Sequence, residues 1–88
     1  MSLRRRYRRT LQAIFRHPTS GTIPWEREVE PLLRALGADV DPSAEGSRVY
    51  VLLNEEEAVF HRPHPRKEAD PGAIRALRRF LVQAGVHL

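Results

Sequence analysis

Cysteine is absent from this 88-residue chain, which excludes a disulfide framework and a thiolate metal site. No stretch approaches the ~18 consecutive apolar residues that a membrane-spanning helix needs. The basic N-terminus interleaves arginine with apolar residues from Arg4 to Phe15 and so lacks the continuous apolar core of a signal peptide. A soluble, cytoplasmic protein is the expectation. Length argues the same economy: a chain this short buries only about 60–65% of its unfolded surface, so residues 1–88 form one domain with a thin core.

Acid is missing altogether from residues 1–25, which hold six arginines. Residues 26–57 reverse this, with nine acids against Arg27, Arg34 and Arg48. Residues 58–88 return to six basic side chains against Glu68 and Asp70. Basic ends suit a polyanion such as RNA or an acidic protein partner. The acidic middle argues against a surface that coats nucleic acid uniformly.

What is present is periodic. Leu3, Tyr7, Leu11, Ile14 and Phe15 recur at helical spacing and predict an amphipathic helix over 3–16, ended by His17-Pro18. Trp25, Val29, Leu32, Leu33 and Leu36 repeat the pattern up to Gly37, a natural C-terminal cap. Pro31 conflicts with a regular helix, because an interior proline loses a hydrogen bond and clashes with the preceding turn. A kink, or a short first turn before a helix from about Glu30, resolves the conflict. Ala38 to Val40 reads as an edge strand and Asp41 to Gly46 as a turn. Val49, Val51 and Leu53 alternate along a strand, Asn54-Glu55-Glu56 forms a hairpin loop, and residues 57–61 return. Asp70-Pro71 opens a last helix carrying Ile74, Leu77, Phe80, Leu81 and Ala84, with Gly85 at its end.

Several segments together resemble the HicA-like toxins of bacterial toxin–antitoxin pairs. They are Leu33-Arg34-Ala35-Leu36-Gly37 at a helix end, Glu45-Gly46-Ser47-Arg48 entering a strand, His64 to Gly72 with Arg66, Lys67 and Glu68, and the closing Gln83-Ala84-Gly85-Val86. The resemblance implies an α+β, double-stranded-RNA-binding-like α-β-β-β-α core over residues 24–88, with 3–16 as an extra N-terminal helix. It also implies mRNA cleavage without metal or other cofactor, and neutralisation by a HicB-like antitoxin. A homodimer is compatible with the same pattern. Where the family has Gly-Ser-His, this chain has Gly-Ser-Arg, so Arg48 stands at the histidine's position.

Metal-free RNA cleavage needs a base for the ribose 2′-hydroxyl, an acid for the leaving oxygen, and positive charge at the phosphate. Histidine suits the proton steps, and arginine suits the phosphate but cannot act as a base. The candidates for catalysis are therefore His64 and His61, with Arg48 as a phosphate clamp. In His61-Arg62-Pro63-His64-Pro65 the two prolines favour polyproline-II geometry, which would put both histidines on one side, roughly 9 Å apart. Ser47, Tyr50, Arg62, Arg66 and Lys67 are the candidate RNA-binding residues, Tyr50 as a platform for a base. Each has a plain alternative: exposed histidines in a loop, and a solvated Arg48. In that case the chain is a catalytically inactive RNA-binding or antitoxin-binding relative. A zinc site at the histidine pair lacks further donors. Glu55-Glu56-Glu57 reads as a solvated turn, and Trp25, on an apolar stripe, as core. The arginines of residues 4–9 could contact phosphate, meet an acidic antitoxin segment, or only be solvated.

Overall fold

The computed structural model describes residues 3–43 and 46–88. Ala44 and Glu45, within the predicted turn and the strand-entry motif, lie outside the described residues. The apolar stripe of the first segment becomes helix α1, Arg5–Phe15, which buries Thr10, Leu11 and Ile14. Its C-terminal end is tied down by Arg78, whose Nε donates to Ile14 O at 3.0 Å and Nη2 to Arg16 O at 3.2 Å. A cation at the carbonyl end of a helix satisfies unpaired acceptors and complements the dipole. The extra helix thus packs into the same core as the rest of the chain.

After β1, Ile23–Pro24, the second helical segment divides as the proline requires. A π-helical turn, Trp25–Val29, is followed by α2, Glu30–Ala35, with Pro31 in its first turn, where a missing N–H costs little. Gly37 ends the segment at φ 98°. The main sheet is antiparallel, in the order β2 (Asp39–Pro42), β3 (Arg48–Leu53), β4 (Glu56–His61). β2 starts one residue later than expected and extends through Asp41-Pro42, where the sequence predicts a turn. Pro42 sits opposite Val49 at the end of an edge strand, where a proline is tolerated. The hairpin loop is only Asn54-Glu55, at φ 49° and 70°, the two left-handed positions that a tight two-residue hairpin demands. Asn54 Nδ2 also donates to Ala84 O at 2.7 Å, locking the hairpin to the end of the last helix.

A second ribbon, absent from the sequence reading, pairs β1 with β5 (Glu68–Ala69), Ile23 opposite Ala69. Helix α3, Pro71–Gln83, begins as expected, with Asp70 Oδ1 accepting the Ala73 N–H at 2.8 Å. All three helices contribute to one core with the inward residues Val49, Val51, Leu53 and Phe60 of the sheet. Trp25 lies at its centre, 1% exposed, with its ring 5.4 Å from Phe60, which stands edge-on to Phe80 at 5.8 Å. It is core, as its stripe suggested, and out of reach of a nucleic-acid base. The architecture is α+β with an α-β-β-β-α order behind the extra helix, consistent with the double-stranded-RNA-binding-like arrangement. Among the described residues no helix is long and apolar enough to cross a membrane.

Candidate functional site

Strand alternation decides what the open face of the sheet presents. In β3, Val49, Val51 and Leu53 point into the core, so Arg48, Tyr50 and Leu52 face outward. In β4, Phe60 points inward while Glu57, Val59 and His61 are exposed. The register then sets three cross-strand rows on the open face: Asp39–Leu52–Glu57, Asp41–Tyr50–Val59, and Arg48–His61 at the far end. Arg62 N–H donates to Ser47 O at 2.8 Å just beyond that last pair. This hydrogen bond identifies Arg48–His61 as a non-hydrogen-bonded pair, the closer of the two antiparallel kinds, with Cβ atoms about 5 Å apart.

The open face is therefore polarised. Its acid end holds Asp39, Asp41 and Glu57 around a shallow hollow of about 670 Å³ floored by Tyr50, Leu52 and Val59. Its other end holds Ser47, Arg48 and His61, and the chain leaves that end through His64, Arg66 and Lys67. A phosphate drawn toward the sheet is repelled from the first end and attracted to the second.

Of the sequence-predicted residues, the fold brings Ser47, Arg48 and His61 to one corner, with Tyr50 next along the same face. His64 is exposed in the following segment, which bends at His64 and Pro65 and so is not the single extended run on which the shared-side reading of the two histidines relied. Arg66 is largely exposed, with Nη2 donating to Gly21 O at 3.3 Å and Nε 3.8 Å from Glu68. Lys67 is exposed, while its carbonyl accepts the Trp25 N–H at 3.0 Å.

Arg62 behaves differently. Two residues beyond Phe60, it shares the inward side and turns toward α2. Its Nε and Nη2 donate to the two carboxylate oxygens of Glu30, each at 2.9 Å, and Nη1 lies 3.6 Å from Glu26. The hydrogen bonds Arg62 donates to Glu30, and then the negative charges of Glu30 and Glu26, push the guanidinium pKa up against an opposing effect of burial. Glu30 is 2% exposed, so this pair satisfies a carboxylate that would otherwise be buried alone. Sequence reading missed Glu30. The available signal was an acid beside the Trp25–Val29–Leu33 stripe, a position that requires a cation from elsewhere in the fold.

Glu55, Glu56 and Glu57 are at least partly exposed, and among the described residues no group of histidine and acidic side chains could hold a metal ion. The site offers imidazoles, guanidiniums, an ammonium, a hydroxyl and a phenol, which can move protons and bind phosphate.

A family model described as the HicA toxin of bacterial toxin-antitoxin systems matches residues 27–86. That span runs from the π-helical turn to just past α3 and leaves out α1 and β1. No curated protein and no solved structure matches the chain.

Proposed function

This chain belongs to the HicA toxin family, and from that premise we propose that it is a metal-independent mRNA endoribonuclease held in check by a HicB-like antitoxin. The observation that carries the reading is the pairing of Arg48 with His61 on the open sheet face, at the end where His64, Arg66 and Lys67 follow. In the proposed step the 2′-oxygen attacks the adjacent phosphorus and the bond to the 5′-oxygen breaks. One histidine takes the 2′-hydroxyl proton and the other supplies a proton to the leaving oxygen. The products are a 2′,3′-cyclic phosphate and a 5′-hydroxyl. Arg48 holds the phosphate, with Ser47 beside it, Arg66 and Lys67 add attraction, and Tyr50 stacks on a neighbouring base.

Arg62 acts here by position. Its bond to Glu30 fixes the exit of β4, so His61 is held on the open face while the segment bearing His64 leaves from a defined point. It is a positioning residue for the site.

Expression of the chain alone in bacteria tests the reading. We expect growth arrest with shortened mRNA, reversed by His64→Ala, which lowers cleavage by at least about a hundredfold, the usual scale of general acid–base catalysis. Unimpaired growth with intact mRNA, together with no cleavage of single-stranded RNA by the pure protein, would refute it. A second reading, a non-catalytic relative that binds RNA or antitoxin, is favoured by one feature, Arg48 at the position of the family's histidine. It predicts salt-dependent RNA binding and harmless expression.

A further inference from the structure

Helix α1 lies outside the span matched by the family model, and its inner face is fully accounted for by core packing and by Arg78. Its outer face is not. Arg4, Arg5, Arg6, Arg8, Arg9 and Gln12 are all exposed. Arg6 lies 5.1 Å from the ring of Tyr7, whereas Arg4, Arg5, Arg8 and Arg9 have no acidic partner among the described residues. Arg5, Arg8, Arg9 and Gln12 line a shallow depression.

This arrangement is unfavourable for the helix itself. Arg4 and Arg8, and Arg5 and Arg9, are like charges four residues apart and repel. The first turn contains no acid and Arg4 caps the helix without a side-chain hydrogen bond, so the cations crowd the positive end of the helix dipole. An anion bound across Arg5, Arg8 and Arg9 relieves both effects. The helical rise places Arg5 and Arg9 about 6 Å apart along the axis, comparable with the step between successive phosphates of a single strand. The depression also has no apolar anchor of the kind that centres a protein–protein contact, which favours a polyanion over an acidic protein segment.

We infer that the outer face of α1, centred on Arg5, Arg8, Arg9 and Gln12, is a second docking site for the phosphodiester backbone of RNA, outside the part of the chain that its family shares. The choice of RNA rests on the proposed endoribonuclease reading. The site adds affinity without sequence preference, since phosphate contacts carry no base information.

The test uses the full chain and a single-stranded 2′-O-methyl RNA, which lacks the attacking hydroxyl, so binding is read whether or not the protein cleaves. We expect R5Q/R8Q/R9Q, with helix content unchanged by circular dichroism, to bind roughly tenfold or more weakly at low salt. Its log K against log salt slope should be shallower by about 2, because each phosphate contact on a single strand contributes about 0.7. R5K/R8K/R9K should keep most of the slope. Equal affinity and slope in the glutamine variant would overturn the inference, as would no binding by the wild type. So would α1-dependent binding of polyglutamate without α1-dependent binding of RNA. Failure of the wild type to cleave unmodified RNA, with the slope change intact, would instead remove the catalytic reading and leave this site standing.

Discussion

The side chain that departs most from its sequence reading is Arg62. Among neighbours such as His61, His64 and Arg66 it looks like one more phosphate ligand. Strand periodicity instead sends it inward with Phe60, to a carboxylate on α2 that no local pattern links to it. Removing one member of a buried pair leaves the other uncompensated. Arg62→Ala should therefore lower stability by about 3 kcal/mol, the low end of the range for buried pairs because Arg62 keeps some exposure. Replacing both by leucine should recover most of that loss, and urea unfolding of the two variants checks the pair. Equal losses in both would mean that the bond is not what holds the segment. The raised Arg62 pKa keeps the guanidinium charged at every pH below its ordinary range, so its own titration breaks the bond only above the folded value. Trp25 gives the opposite lesson, since its helical spacing alone identified it as core.

Among the elements, those with a repeating pattern were legible. The stripe of α1, the alternation of β3 and the Asp70-Pro71 start of α3 each fix their element through local chemistry. Pro31 announced an irregularity, and the π-helical turn is its resolution. The β1–β5 ribbon was not legible, because two-residue strands have no period and depend on Ile23 meeting Ala69 across most of the chain. The same limit applies to the site. Alternation identified Arg48 and Tyr50 as sharing a face, but only the register puts His61 opposite Arg48. The cap of α3 gives a direct test: Asp70→Ala removes the acceptor for the Ala73 N–H and should cost about 1 kcal/mol. For a domain of this size that is a fall in Tm of about 4–8 °C. An unchanged melting curve would show that the cap contributes nothing.

Over the whole molecule, the charge blocks of the sequence become separate surfaces. The acidic middle supplies Asp39, Asp41 and Glu57 at one end of the open face, while basic groups gather at the other end and on α1. The fold also makes α1 indispensable, although the family match begins at residue 27. Leu11 and Ile14 are buried in the common core, and burial of each is worth about 1.5–3 kcal/mol against a typical total of about 5–15 kcal/mol. Deleting residues 1–16 should leave a chain that is largely unfolded or has a much lower urea midpoint. A truncated chain as stable as the whole would contradict this integration. We propose that Arg48 and His61, with His64 from the segment that follows, cleave RNA through the RNA's own 2′-hydroxyl. Incubating the pure protein with single-stranded RNA in excess EDTA and analysing the new ends tests it most directly. We expect 2′,3′-cyclic phosphate ends that disappear with a 2′-O-methyl substrate and fall at least about a hundredfold in His64→Ala; intact RNA, or cleavage unchanged in His64→Ala and His61→Ala, would refute the proposal.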